Sequence, residues 1–409
     1  MKIALFSDCY LDITGGVVSA MNAQKHALEA AGHEIRLFST GFSKTEEELK
    51  ALSKQNIYVV PTCKLFFRGL LPVSRRPKII ERWLLKEHPE IKDYDVFYIH
   101  HEGGCSIAGI NLAKELKIPA IQMMHGREDV GETGIMPFGL RTIVAVLLNW
   151  FHSWYVPHTI KIHRDNYLAT SLARAKMWEL MVNHANYPDL VLSPSEHFRK
   201  KLIHYGVKKT IKVLPNSVAD NKFPKSLEPK NLKKDEPIRI IWHSRVSAEK
   251  RIMPFLEALT RVSSKYHLDI YGDGVDLPRA KLYVKNHHIN ATFHGNVPFD
   301  SFSKALLNSH LDVQVAYNCD TFGMTLIEAE AYGVPVLFCD PDMKEIVPEG
   351  GYVLTTSPEP SSIASAIDGL ANHPEKIEQM SKVMIKHRNE VSASNRFKIL
   401  DKILKEITH

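Results

Sequence analysis

The sequence predicts an α/β protein of two doubly wound domains, and three observations predict it. Two apolar strands each open a strand–loop–helix unit, Lys2 to Phe6 and Ile238 to Trp242. Between them, Ala219 to Pro237 is rich in Lys and Pro and poor in large apolar groups, as a linker is. Each half then alternates short continuous apolar runs with amphipathic stretches, the pattern of parallel sheets covered by helices.

Taken in order, Lys2 to Phe6 leads through Asp12-Ile13-Thr14-Gly15-Gly16-Val17 into a helix from about Ser19. Further strands of the first half are Asp95 to Ile99, Ala120 to Met123 and Leu190 to Leu192. In the second half, Ile238 to Trp242 feeds a loop holding Arg245 and then a helix from about Met253. Leu268 to Tyr271, Ala291 to His294, Asp312 to Val315 and Val334 to Phe338 continue the sheet. The stretch from Asp320 to Val336 reads as a loop with glycine at its tight point, a helix, and a turn into an apolar strand.

With 409 residues, 44% of them hydrophobic and 24% charged, the chain suits a soluble protein with two cores. A formal net charge of +6 is too modest to imply nucleic acid, and none is expected as a partner. Cys9, Cys63, Cys105, Cys319 and Cys339 are scattered, without metal spacing, which fits a reducing cytoplasm. The start has no signal-peptide layout. The most apolar span, Phe138 to Val156, is broken by Arg141, Asn149 and His152 and is not expected to cross a membrane.

Chemistry concentrates in the second half. A helix start after Gly323 offers backbone N–H groups and positive dipole character to a phosphate, and glycine allows close approach. Asp320 and Glu328 bracket that start and can accept from the hydroxyls of a sugar or ribose. Arg245 and Lys250 stand upstream as a basic pair suited to a diphosphate. Each feature has an ordinary alternative: a solvated basic loop, and acids favoured by a helix dipole.

In this combination the chain resembles the retaining nucleotide-sugar glycosyltransferases of the GT-B fold, family four. Their signature is an acid, seven residues and a Glu within a Phe-Gly, Glu-Ala, Gly-Pro-Val frame. Here Phe322-Gly323, Glu328-Ala329 and Gly333-Val334-Pro335-Val336 stand in register, with Asp320 where the family has Glu. Further likeness lies in His33 to Thr40, His100-His101, Leu192 to Glu196, Leu214 to Val218 and Tyr271-Gly272-Asp273-Gly274.

The resemblance implies two Rossmann-like domains facing across a cleft. Residues 1–218 would be the acceptor domain, 219–237 the linker, 238–390 the donor domain, and 391–409 a helix crossing back to the first domain. It implies Arg245, Lys250 and the Met324 and Thr325 backbone at the donor diphosphate, with Phe322 and Gly323 in the same loop. Glu328 would meet the ribose, and Asp320 and His125 the sugar. Gly15 and Gly16 would face the phosphates. Asp340-Pro341-Asp342 reads as a turn and not a metal site; no metal or cofactor is expected beyond a nucleotide sugar, most simply UDP-hexose.

For the acceptor, Lys64 to Lys86 interleaves basic residues (Arg68, Arg75, Arg76 and Lys78 among them) with apolar ones, and Trp150 and Trp154 lie in a second aromatic stretch. That composition suits an anionic membrane surface and a lipid acceptor, on the inner face of the cell membrane. The alternatives are helices with solvated basic faces or a groove for a soluble, polymeric or protein acceptor. A catalytically silent GT-B partner and a nucleotide-sugar epimerase are the other readings; retention of Arg245, Lys250 and Glu328 argues against the silent partner.

Overall fold

The computed structural model describes residues 1–8, 15–41, 44–66, 70–130, 139–233 and 235–408, with residues 64–66 and 70–73 described by backbone alone. The chain divides into two compact units, Met1–Asn216 with Arg396–His409, and Ser217–Asn395.

The first unit is built on β1 (Lys2–Ser7), α1 (Gly16–Ala30), β2 (Glu34–Ser39), α2 (Glu46–Ser53) and β3 (Ile57–Val59). A hairpin of β4 (Thr62–Phe66) and β5 (Leu70–Ser74) follows, then α3 (Pro77–Glu87), β6 (Val96–Ile99), α4 (Gly104–Leu116), β7 (Ala120–Met123), α5 (Arg141–His152), α6 (Leu172–Ala185), β8 (Leu190–Ser193), α7 (Glu196–His204) and β9 (Ile211–Val213). Seven strands form one parallel sheet in the order β3-β2-β1-β6-β7-β8-β9. Its central strands are buried on both faces, as β6 shows with Val96, Phe97, Tyr98 and Ile99 all inside.

The second unit holds β10 (Ile238–His243), α8 (Ile252–Leu259), β11 (Tyr266–Tyr271), α9 (Leu277–Asn286), β12 (Ala291–Gly295), α10 (Phe299–Asn308) and β13 (Leu311–Gln314). It continues through α11 (Met324–Ala331), β14 (Val336–Phe338), β15 (Tyr352–Leu354), α12 (Pro360–Ala371) and α13 (Pro374–His387). Its six parallel strands run β12-β11-β10-β13-β14-β15. The last helix, α14 (Ala393–Thr408), buries Leu400, Ile403 and Leu404 with Ile3, Leu5 and Met21 of the first unit's core.

Both sheets are doubly wound. The winding reverses between β1 and β6 in the first unit and between β10 and β13 in the second. In open parallel sheets such a reversal leaves a crevice beyond the carboxyl ends of the two strands, where ligands bind. The loops in question are those carrying Gly15–Gly16 and His100–Gly103, and those carrying Arg245 and Asp320.

Lys64 to Lys86 folds as a hairpin followed by α3, with Pro77 in the first turn of the helix, where its missing N–H costs nothing. Glu330 is buried in α11.

Candidate active site

The loop after β10 is held in place by a glycine turn. Ser244 N–H donates to Tyr271 O (3.2 Å) and Val246 N–H to Asp273 O (2.9 Å). The chains lie so close that a Cβ on Gly272 would stand 2.0 Å from Ser244 O, and one on Gly274 2.2 Å from Val246 O. Gly272 also has φ +117°, outside the reach of most side chains. The result is a fixed backbone on both sides of Arg245. Its side chain is 53% exposed and lies 3.6 Å from Glu249 Oε1, which also accepts from Ser247 Oγ at 2.6 Å.

Lys250 closes the same loop and forms an ion pair with Asp320, across from the β13 side of the reversal. Burial disfavours its charge, but Asp320 outweighs that and the Lys250 pKa is raised. Lys250 is therefore a cation held in one place, not a solvated lysine. Gly323, at φ +80°, then turns the chain into α11. A Cβ there would meet Leu326 Cδ1 at 2.9 Å. No side chain caps α11, and Gly323, Met324 and Thr325 are all partly exposed, so the helix start keeps its anion-binding character. Phe322 is buried in the apolar cluster with Leu326 and Phe338 and anchors the loop.

Glu328 lies one turn into α11. Its Oε2 is 3.7 Å from His243 Nδ1, and His243 Nε2 is 2.8 Å from Asp312 Oδ2. Burial raises the Glu328 pKa, against the opposing pull of His243 and Lys222. The structure thus brings together Lys250 with Asp320 and Glu328 with His243. His243 and Asp312 were not singled out in the sequence. The available signal was a histidine ending β10 and an aspartate within the short buried strand β13 that leads to the motif.

In the first unit, Gly15 is extended at the start of α1, with its carbonyl accepting from Ser19 N–H (2.9 Å), and Gly16 is the first helical residue. The sequence-expected start near Ser19 falls one turn late. Asp8, at the end of β1, fills the start of α4, accepting from Cys105 N–H, Ser106 N–H and Ser106 Oγ at 2.7–3.0 Å. His125 follows β7 and is buried, with its Nε2 2.8 Å from His100 Nδ1. Burial holds its pKa well below the ordinary imidazole range, reinforced by His100 and His101. Arg127 is buried against Asp129 (2.6 Å) and over Trp178, a structural position. Asp340 caps a turn, accepting from Asp342 N–H and Asn318 N–H. Among the described residues no group of three acids, His or Cys has metal-holding geometry.

Arg75, Arg76 and Lys78 are exposed around the start of α3; Arg68 lies outside the described residues. Trp150 and Trp154 are 55% and 53% exposed. Trp150 belongs to an inverted amphipathic helix, α5, and Trp154 lies in the turn that follows it. α5 turns Asn149 and His152 inward and Ile143, Leu147, Trp150 and Phe151 outward. The inward groups are committed: Asn149 donates to Glu179 Oε1 (3.0 Å), and His152 is bonded to His158 (2.8 Å) and His184 (3.0 Å). Gln122 gives an amide hydrogen to His101 O, so its oxygen accepts from His184 Nε2. The imidazoles of His184 and His152 then pass donors along in one direction, all neutral. No helix among the described residues is long and apolar enough to cross a membrane.

Residues 14–222 match the family model described as Glycosyltransferase Family 4, and residues 225–387 match Glycosyl transferases group 1. The chain belongs to glycosyltransferase family four. Two relatives of this glycosyltransferase are each named alpha-monoglucosyldiacylglycerol synthase. The one from Streptococcus pneumoniae is 25% identical over 360 residues, covering 82% of this chain and 70% of the relative. The one from Acholeplasma laidlawii is 23% identical over 367 residues, covering 86% and 83%. Among solved structures, Anabaena HepE with UDP-glucose superposes with a TM-score of 0.69 at 14% identity, covering 99% of this chain and all of the other. Sucrose-phosphate synthase from Thermosynechococcus elongatus gives 0.73 at 14%, covering 99% and 98%. These likenesses establish the GT-B fold.

Proposed function

We propose that this glycosyltransferase moves a hexose from a UDP-sugar to a hydroxyl of a membrane-associated lipid, with retention at the anomeric carbon, as a peripheral protein on the inner face of the cell membrane. The observation that carries the donor half is the meeting, at one winding reversal, of Arg245, the Lys250–Asp320 pair and the uncapped start of α11. A departing diphosphate gathers negative charge, and oriented cations and N–H groups there lower the barrier. Lys250 and Arg245 supply fixed positive charge, so no metal is needed for that role. Asp320, steadied by Lys250, keeps acceptor capacity for sugar hydroxyls, and Glu328 for ribose hydroxyls. His125, neutral at working pH, suits a hydrogen bond to the sugar rather than a charge. Attack on the same face as the departing phosphate, with that phosphate taking the acceptor's proton, requires no protein base, and none is assigned.

The acceptor half rests on α5. A helix that spends its polar residues inside and offers Ile, Leu, Trp and Phe outward matches a surrounding that is itself apolar, and Trp is favoured at the bilayer interface. The basic residues nearest it in sequence are the exposed Lys161 and Arg164 and the half-buried Arg141 at its start, and no Asp or Glu occurs from Gly139 to Arg164. The names of the two relatives support a diacylglycerol-type acceptor. The test is a panel of nucleotide sugars offered with lipid extract and with soluble sugars, read by mass spectrometry, with product configuration read by NMR. A glycolipid with the donor's anomeric configuration is expected. Transfer to soluble sugars alone overturns the lipid acceptor; an inverted product overturns retention; an isomerised donor overturns transfer.

A further inference from the structure

His243 sits at the carboxyl end of β10, enclosed by groups from β13, α11 and α10. On β13, Asp312 is fully buried. One of its oxygens accepts from Gln314 Nε2 (2.9 Å), and the other lies 2.8 Å from His243 Nε2. An ionised carboxylate only accepts, so Nε2 carries a proton. On α11, Glu328 presents Oε2 to Nδ1 at 3.7 Å. On α10, Phe302 covers the ring at 4.7 Å and brings no charge. Lys222 is the other cation that acts on Glu328. A neutral His243 would aim the Nδ1 lone pair at a carboxylate oxygen, acceptor against acceptor. A second proton turns that repulsion into attraction, and two carboxylates then face one cation.

We infer that His243 is a positioning residue for Glu328: as an imidazolium braced on Asp312, it keeps the Glu328 carboxylate ionised and turns Oε2 inward, leaving Oε1 to accept from a vicinal diol such as the ribose of a nucleoside diphosphate. This rests on the reading of Glu328 as the ribose acceptor given above. The titration behaviour agrees with the geometry. Burial lowers the His243 pKa, but Asp312 and then Glu328 overcome it, and the net shift is upward. Burial pushes Glu328 up, and His243 is the largest opposing influence. Without that charge, Glu328 moves further toward the protonated form, which loses an acceptor.

The experiment has two arms on the full chain. In the first, UDP and 2′,3′-dideoxy-UDP are titrated calorimetrically from pH 5.5 to 8.5 into wild type and His243→Gln. Gln keeps a donor for Asp312 but cannot take a charge. Wild type should prefer UDP by about tenfold while His243 is charged, the worth of a charge-assisted hydrogen bond, and the preference should shrink as pH rises through the His243 midpoint. His243→Gln should show a smaller, pH-flat preference. A variant that keeps the wild-type preference and profile overturns the inference. The second arm needs no nucleotide and decides the matter if the variant is unstable. Imidazole NMR should place the His243 midpoint above that of an ordinary histidine, and Glu328→Gln should lower it. A midpoint unmoved by Glu328→Gln overturns the coupling. A wild type that binds neither nucleotide overturns the UDP-donor reading instead, and the NMR arm still decides the coupling.

Discussion

The backbone around Arg245 should fail in a graded way when glycines behind it gain a methyl group. Three positions separate the two physical costs. Gly295 has φ +68° with nothing within 4 Å of a built Cβ, so Gly295→Ala meets only left-handed strain, about 1–2 kcal/mol. Gly274 lacks the positive φ, but its Cβ would lie 2.2 Å from Val246 O. Gly274→Ala therefore meets only overlap, about 1–3 kcal/mol. Gly272 has both, at φ +117° and 2.0 Å from Ser244 O. Gly272→Ala should cost about 2–5 kcal/mol, the two contributions together. The atom struck is a backbone carbonyl, so relief requires the loop itself to move, carrying Arg245 with it. Urea denaturation followed by circular dichroism measures the stability order, expected as Gly295→Ala mildest and Gly272→Ala worst. UDP affinity, measured on the folded fraction at low temperature, should fall for Gly272→Ala and Gly274→Ala and stay near wild type for Gly295→Ala. The reasoning is refuted if Gly272→Ala is no less stable than Gly295→Ala, or if Gly274→Ala costs nothing.

Arg245→Ala and Lys250→Ala should each reduce turnover by at least ~10²-fold with the fold intact, because one oriented charge stabiliser is typically worth ~3 kcal/mol; near-normal kcat in both would remove them from the donor site. Activity should persist in excess EDTA, since Arg245 and Lys250 provide the charge; complete loss restored by Mn²⁺ or Mg²⁺ would show the assignment to be wrong. The protein should float with anionic vesicles at low salt and less so at high salt, each Lys or Arg near the surface contributing ~1 kcal/mol. Arg75→Glu with Arg76→Glu and Lys78→Glu should remove the salt-sensitive part, whereas Trp150→Ser with Trp154→Ser should remove the salt-resistant part. Finally, the first unit should be acid-labile. Burial pushes His100 and His184 down to about 3 and His101 to about 4, against an ordinary 6.5. Between those values the unfolded chain binds more protons, so stability falls as pH drops below about 6.5. A Tm unchanged between pH 7.5 and 5 would contradict it.

The sheets were legible because parallel strands buried on both faces are written as short continuous apolar runs. Ala120–Met123 emerges with the expected bounds, and most other strands shift by one or two residues. The strands missed were short edge or hairpin strands: β3, β9 and β15 have three residues each, and β4–β5 pairs outside the main sheet. The loop–helix–strand stretch from Asp320 to Val336 was legible because its parts are contiguous and Gly323 and Gly333 are required by backbone geometry. Its long-range partners were not. Nothing local to Lys250 specifies Asp320, 70 positions away, as its counter-ion. Nor does the sequence around His243 reveal that Asp312 stands opposite it, because that pairing follows from β10 and β13 being sheet neighbours across the winding reversal.

The inversion of α5 shows why composition misleads when read without orientation. In sequence, Asn149 and His152 interrupt an apolar stretch, and nothing there says which side of a helix they take. In the structure both find partners inside that water would otherwise supply: Glu179 for Asn149, and His158 and His184 for His152. Once those bonds are made, rolling the helix to hide Trp150 and Leu147 would take the Asn149 bond from Glu179 and the His152 bonds from His158 and His184, at roughly 1–3 kcal/mol for each imidazole nitrogen left unsatisfied in the core. The buried polar network therefore fixes which face is outward, and the outward face is the apolar one. The same network bears on two of the predictions above. Its neutral imidazoles would take up protons on unfolding, which is the basis of the expected acid sensitivity, and it keeps an apolar surface exposed. Replacing His184 with Gln should weaken both together: less acid sensitivity, and a less ordered α5 with weaker vesicle binding. If acid sensitivity changes while vesicle binding does not, the network fixes the core but not the orientation of the helix.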